Sequence, residues 1–467
     1  MAALLAVVLC GLTGFALVCL AWPQPARLRS NLALKTSLCG GCGLGIFSLV
    51  FFLSPALSLS SLMLADGAVF GVLLVVLIWS RTRPRSGAGL AEERVAVDRP
   101  GGRIRPALET AFALALIASA YASAVRAVAH PHGDGWDAFA IWDLHARFLF
   151  RGGPHWKDGF VSLIPWSHPD YPLLLPAAIA HFWRYVGNES WVVPSVIALI
   201  FAFSTVGLLL SGLSILRGSN QAFLGGTVLL ATPFFVEQGT SQYADVPLAF
   251  FFLATIVLLC LHDSGTRQPG LVALAGLTAG FAAWTKNEGL LFLGAVVLAR
   301  VVTLARHESW TSCRRQTLPM LLAALPVLLV IAYFKVRVAP AGDLFSSPAN
   351  LWRKILDPAR YWATVQWYAK EFLRFGHWWL IPGTVLLAGY YFMVGREVGS
   401  KNEAGIRISV LALGLTLAGY FAVYLITPYD IHWHLRSSLN RLFLQVWPSA
   451  IFLFFLAVRT PEQALAG

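Results

Sequence analysis

Charge is what this sequence has least of. Asp, Glu, Lys and Arg supply 12% of its 467 residues, where a soluble domain carries roughly 25%, and that excludes a soluble or a disordered chain. Acids are the scarcer sign, 23 against 35 Lys and Arg. In so apolar a chain the balance of +12 reads first as membrane topology, and no nucleic-acid partner is supported. Cysteine is sparse as well. Cys10, Cys19, Cys39, Cys42, Cys260 and Cys313 lie in apolar runs or cytoplasmic loops, so no disulfide framework is implied. Cys39 and Cys42 have CxxC spacing, but the further ligands of a zinc site and the context of a redox motif are missing. The first 22 residues lack a basic segment ahead of their apolar run, which favours a transmembrane helix over a cleaved signal peptide. No fixed-period repeat and no soluble domain is evident.

What fills the sequence is hydrophobicity: 57% apolar residues, with 17 Trp and 31 Phe and a mean hydropathy of +0.67. Apolar runs occur at 3–22, 38–55, 60–80, 107–128, 191–213, 221–237, 245–262, 270–284, 289–304, 318–338, 379–395, 408–426 and 442–458. Most approach the ~20 residues that cross a bilayer as a helix. The expected fold is an all-α polytopic membrane protein with about thirteen transmembrane helices. The basic segment 81–105, with Arg81, Arg83, Arg85, Arg94, Arg99, Arg103 and Arg105, is placed in the cytoplasm. Alternation then puts Arg27, Arg29, Lys35, Arg217, Arg267, Arg300, Arg306, Arg314, Arg315, Arg396, Lys401, Arg407 and Arg459 on the same side.

The remaining loops face outward, among them two long ones, 129–190 and 339–378, and a short polar one, 427–441. This map gives the outer side thirteen of the 23 acids and nine of the 11 histidines, so chemistry is sought there. Pro172 to Val186 is too short to cross and reads as a helix in or dipping into the outer interface. Residues 357–375 open with Asp357 and Pro358 as N-cap and first helical residue and carry a stripe of Val365, Tyr368, Phe372 and Phe375. With Arg360, Lys370 and Arg374 alongside, this amphipathic helix could hold a lipid phosphate or only pack on headgroups.

Five outer segments could carry chemistry. The first runs from His130 to Arg147 and includes Asp134, Trp136, Asp137, Trp142, Asp143 and His145. If Asp137 starts a helix, Asp143 lies nearly two turns on and both carboxylates could flank one pocket; the plainer reading is a solvated loop with capping acids. Aromatic residues interleaved with acids suit sugar rings as well as headgroups. The second, Trp166-Ser-His168-Pro-Asp170-Tyr171-Pro172, puts His and Asp at the mouth of the interfacial helix. Tyr243-Ala-Asp245-Val-Pro247 sets a carboxylate, or an N-cap, at an outer helix end. Trp284-Thr285-Lys286-Asn287-Glu288-Gly289 is a tight turn with Lys beside Glu, which could simply pair with each other. The fifth brings Asp430, His432, His434, Arg436 and Arg441 to the start of the last span, a setting for an anion.

Acids in the first loop and cations at later turns fit glycosyl transfer from a lipid-linked sugar phosphate. A carboxylate takes the acceptor proton and cations stabilise the departing phosphate, so one base suffices.

The order of these motifs resembles the GT-C class of membrane glycosyltransferases, which includes the lipid A aminoarabinose transferase and the protein O-mannosyltransferases. The resemblance spans about 107–304 and weakly covers the remainder. Asp137 with Asp143, then Arg151-Gly152-Gly153, then His168-Pro-Asp170-Tyr171-Pro172 follow the family's order; Asp245 resembles its second acidic site and Thr285-Lys286 its Thr-Lys-Gly turn. Ala138 stands where the family often has Glu, and Asn287-Glu288 is inserted before Gly289. The resemblance implies that Asp137 is the catalytic base, that Asp245 assists metal or substrate binding, and that Lys286 contacts the lipid phosphate. A divalent metal, if used, would lie at Asp137 and Asp245.

Substrate contacts are expected from Asp143, His145, His168, Asp170, Tyr243, Lys286, Glu288, His434, Arg436 and Arg441. The expected division is 1–106 as extra N-terminal helices with a basic loop, 107–338 as a GT-C-like catalytic core with outer loop 129–190, and 339–467 as the second outer loop and C-terminal helices. The activity implied is an inverting polyprenyl-phosphate-sugar-dependent hexosyl- or pentosyltransferase of the inner membrane, acting at the periplasmic or external face. Its acceptor would be a glycolipid, polysaccharide or protein. A transporter or flippase of lipid-linked sugars is the alternative, and a structural scaffold would leave the outward bias of His and acids without a reason.

Overall fold

A computed structural model describes residues 2–23, 29–55, 57–82, 104–342, 351–397 and 403–465. Of the basic positions above, Arg27, Arg83, Arg85, Arg94, Arg99, Arg103 and Lys401 lie outside these. Each of the thirteen apolar runs contains a helix, because in lipid only a helix satisfies its own backbone groups within one segment.

The chain begins with α1 (Ala2–Ala21), α2 (Arg29–Leu53), α3 (Leu59–Thr82) and α4 (Arg105–Ala129). The first outer loop holds a π-helical stretch Ala138–Asp143, then α5 (Leu144–Arg151) and α6 (Leu174–Val186). Next come α7 (Val192–Arg217), α8 (Ser219–Leu230), α9 (Pro233–Gln238) and α10 (Asp245–Leu261). They are followed by α11 (Pro269–Thr285), α12 (Asn287–His307) and α13 (Trp310–Arg337). The second outer loop carries α14 (Leu351–Ile355) and α15 (Pro358–Arg374). The chain closes with α16 (Gly383–Val394), α17 (Glu403–Ile426), α18 (Ile431–Ala457) and α19 (Pro461–Leu465). Extended pairing among the described residues is confined to one isolated bridge between Arg396 and Val458.

Among the described residues ten helices are long and apolar enough to span: α1, α2, α3, α4, α7, α10, α12, α13, α17 and α18. The other three runs are shorter for local reasons. Pro233 splits 221–237 into α8 and α9, since a proline supplies no N–H to continue a helix. The 270–284 run is α11, 17 residues long, stopped where Lys286 turns to an extended conformation. The 379–395 run winds only from Gly383, after Pro382, and reaches 12 residues.

α10 is the axis of the bundle. Its membrane-crossing stretch is wholly buried, packed by α7, α11, α17 and α18, which is why it reads as apolar on every side. The three N-terminal helices belong to the same core. α2 packs on α6 and α7, Phe52 meets the Trp284 ring at 5.1 Å, and Trp284 donates to Ser48 Oγ at 3.2 Å. From α3 the buried Asp66 accepts from Tyr185 at 2.5 Å and lies 2.9 Å from His181 Nε2, both on α6.

Two surface expectations change. α6 forms as expected, but apart from Arg184 and Val186 its residues are buried, covered mainly by α2 and α5, so protein surrounds most of it. In α15, Asp357 does cap the helix, accepting from Ala359 N–H at 3.0 Å. Its stripe divides, however: Tyr368 and Phe375 turn inward onto Phe443, while Val365 and Phe372 are exposed. Arg360 is committed to the end of α17, donating to the carbonyls of Leu425 at 2.7 Å, Tyr424 at 3.1 Å and Thr427 at 3.3 Å. A cation at a helix C-terminus satisfies carbonyls that have no partner within the helix.

Candidate active site

At one end of the bundle the loop after α4, the start of α10, the α11–α12 turn and the first turns of α18 converge. Gly133, at φ +81°, starts this convergence, because a side chain there would collide with the Ser241 carbonyl just ahead of α10. Asp137 then leads into the π-helical stretch, a rare form that recurs at functional sites.

Arg441 joins the two acids. From α18 it donates to Asp137 Oδ2, and the same nitrogen lies 3.9 Å from Asp245 Oδ2. The guanidinium also stacks over the Tyr243 ring at 5.3 Å. Asp245 opens α10 but does not cap it; its carboxylate is 2% exposed and faces side chains instead. Lys286 donates to Oδ1 at 3.2 Å and Gln445 donates to the same atom at 2.6 Å. Gln445 is itself held by the Tyr420 hydroxyl at 2.6 Å. A buried carboxylate with three donors around it meets the condition for keeping a charge out of water.

Lys286 sits on the turn between α11 and α12. Gly289 allows that turn to close, since a methyl group there would overlap the Ala282 carbonyl. The Lys–Glu pair is present, with Glu288 at 2.9 Å, but Lys286 also binds Asp245. Burial opposes its charge, yet Asp245 and Glu288 outweigh that and hold the ammonium above the usual lysine range. The Tyr171 ring lies 5.8 Å beneath it, stacked on His168 at 4.6 Å and on Trp142 at 5.9 Å. Burial raises the Tyr171 phenol well above its ordinary range, so the ring is a neutral aromatic wall.

Asp170 is anchored beside this group. Asn287 donates to it at 2.8 Å, and Lys335 from α13 donates to Asn287 at 2.8 Å and stands 3.5 Å from the Asp170 carboxylate. His434 binds Thr427 Oγ1 at 2.8 Å.

The structure therefore brings together Asp137, Tyr243, Asp245, Lys286, Glu288 and Arg441, with His168 reaching the group through Tyr171 and Asp170 through Asn287. Arg436 is exposed, and no contact among the described residues joins it to them. Asp143 and His145 face elsewhere. Asp143 is 2% exposed, its charged neighbours are Arg147 and Glu189, and burial pushes its carboxyl up to about 6. His145 is fully buried against Phe160, and burial, with His168 adding to it, pushes its imidazole down to about 3. Asp134 is taken by Arg126.

For a divalent ion the donors do not fit as arranged. A guanidinium stands between the two carboxylates, whereas such an ion takes a shell of oxygens. Among the described residues no group of three or more His, Cys, Asp or Glu could hold a metal.

Sequence reasoning missed Gln445, Tyr420, Asn287, Lys335 and Tyr171 as parts of this arrangement. Gln445 had a usable signal, a lone amide within an apolar run, where an unpartnered polar group is costly. Lys335, near a helix end, could not be told from a topology residue.

Residues 168–334 match the model of a family described as dolichyl-phosphate-mannose-protein mannosyltransferase. The match takes in Asp170, Tyr171, Asp245, Lys286 and Glu288, and stops short of Asp137 on one side and Arg441 and Gln445 on the other. Searches of curated proteins and of solved structures gave no match. Ten long apolar helices among the described residues mark an integral membrane protein, and its segment 168–334 is similar to that mannosyltransferase family.

Proposed function

We propose that the chain is a glycosyltransferase that moves a sugar from a polyprenyl-phosphate donor, with inversion, at the face away from the cytoplasm, and that Asp137 is the general base. The observation that carries this reading is the Arg441 bridge between a part-exposed acid, Asp137 (25%), and a buried one, Asp245 (2%). Only the first can meet an acceptor arriving from solution. Asp137 takes the acceptor hydroxyl proton as that oxygen bonds to the anomeric carbon. The bond from that carbon to the phosphate oxygen breaks, and the polyprenyl phosphate leaves with the electron pair. Lys286 and Arg441 are the cations placed to stabilise the leaving phosphate. The part-exposed Tyr243, beside Arg441, offers an aromatic edge to the sugar. Asp245 acts through these cations, holding Lys286 and Arg441 in place. The sugar is a hexose or pentose and the acceptor a glycolipid, polysaccharide or protein.

The test is to present the purified protein with a panel of polyprenyl-phosphate sugars and to follow release of the lipid phosphate in wild type and in Asp137→Asn. Release by the wild type alone supports transfer with Asp137 as base. Equal release by the variant removes Asp137 from that role. Binding of donors without release of any would turn the reading to a transporter of lipid-linked sugars.

A further inference from the structure

A second polar concavity lies at the opposite end of the bundle. α10 runs from Asp245 to Leu261 and α12 from Asn287 to His307, so at 1.5 Å per residue their far ends are about 25–30 Å from Lys286 and Asp245. Between the turn after α10, the α12–α13 turn and the start of α17 there is a cavity of about 90 Å³. That is room for several waters or one compact anion.

Its wall includes Asp263, Arg267, His307, Glu308, Gln316 and Arg407. One acid is matched in charge, and the other, Glu308, is held by neutral donors, leaving it as the single free carboxylate against Arg267 and Arg407. Asp263 accepts from two nitrogens of the buried Arg300, at 3.2 and 3.3 Å. Glu308 accepts from Ser312 and Gln316. The cations are not matched in this way. Arg267 reaches Glu308 only at 3.9 Å and is 73% exposed, while Arg407 has no ion-pair partner among the described residues, and His307 adds a ring N–H to the same wall.

Guanidinium groups in excess of the free carboxylates, around a concave wall between helices, make a setting that holds phosphate headgroups. The Arg-rich character of this end places it at the cytoplasmic leaflet by the positive-inside rule. We propose that this cavity binds a phosphate group, from an anionic lipid of that leaflet or from free phosphate, through Arg267, His307 and Arg407. The site is remote from Asp137 and Asp245 and does not depend on the reaction proposed there.

The full-length protein in phosphatidylcholine nanodiscs, with and without phosphatidylglycerol, is the material for the test. Native mass spectrometry counts the anionic lipid that stays bound, and thermal melting follows titration with inorganic phosphate. The expected result is binding by the wild type that weakens about fivefold for each cation removed in Arg267→Ala and Arg407→Ala. Arg407→Lys keeps most of it. Arg314→Ala with Arg315→Ala, which removes two charges from the same end but outside the wall, leaves it unchanged. Retention of phosphatidylglycerol with no response to phosphate identifies the lipid as the source; stabilisation by phosphate in pure phosphatidylcholine identifies the free anion. The proposal falls if neither ligand binds, if the Arg267 and Arg407 variants bind both as the wild type does, or if the Arg314 and Arg315 pair loses as much.

Discussion

Arg441 donates to Asp137 across 304 residues of chain, and the same guanidinium lies 3.9 Å from Asp245. The two acids thus share one cation while differing in exposure. Arg441→Lys keeps the charge but loses the planar guanidinium that sits between both carboxylates and over Tyr243. We expect turnover of a polyprenyl-phosphate sugar to fall by at least about tenfold in that variant, with Arg436→Ala, outside the cluster, within about twofold of wild type. Steady-state rates for the two variants check this.

Gln445 gives Asp245 a donor that no neighbour replaces. Gln445→Leu is close in size and lacks the amide, and it should lower stability by about 1–3 kcal/mol. Asp245→Ala should cost more, about 3–5 kcal/mol, because Lys286 is left buried without one of its two carboxylate partners. Melting in one detergent, with Asp245→Ala/Lys286→Met as the double variant, checks both; the double variant should be less damaged than the sum of its single changes.

The buried group of Asp66, His181 and Tyr185 ties α3 to α6. Asp66→Ala should destabilise by about 3–5 kcal/mol, whereas Asp66→Asn keeps an acceptor for Tyr185 and should lose less. Since α6 follows directly from Tyr171 and Pro172, Asp66→Ala should also raise KM for the donor more than it lowers kcat in the folded fraction. Melting curves and initial rates together distinguish this from simple unfolding.

Asp143 and His145 give opposing pH dependences. The Asp143 carboxyl is raised to about 6 when folded, so folding favours its protonated form and its cost grows as pH rises from about 4 to 6. The His145 imidazole is lowered to about 3, so folding favours its neutral form and its cost grows as pH falls from about 6.5. Between pH 4 and 6 the two slopes oppose. Asp143→Asn should therefore be more stable than wild type at pH 7, by about 3 kcal/mol, and should lose stability steadily on acidification. His145→Gln should gain stability as pH falls from 6 to 4. Melting temperatures across that range check both signs.

The helices were legible in the sequence because lipid leaves the backbone no other local solution, and each apolar run contains a helix. Lengths were less so: Pro233 and Pro382 shortened two runs that composition alone carried further. Asp137, Asp245 and Lys286 were legible as chemistry-bearing types at helix ends. Their partners were not, because Gln445 and Arg441 reach them from a span 200 and 304 residues distant in sequence, and such pairing leaves no mark in local spacing. Asp143 and His145 looked like neighbours of Asp137 by spacing, yet after the π-helical stretch they are buried against Arg147, Glu189 and Phe160.

The Arg441 bridge also bears on how the protein is made. Synthesis delivers Asp137 and Asp245 long before the last span carries Arg441 and Gln445 to them. Until then Asp245 has Lys286 as its main partner and Asp137 has no cation at hand, so the nascent chain holds a half-neutralised acid pair at the membrane boundary. A product truncated before α18 would keep that pair, and membrane quality control would meet it as an incompletely assembled chain even though nine of the ten long apolar helices among the described residues were already in place.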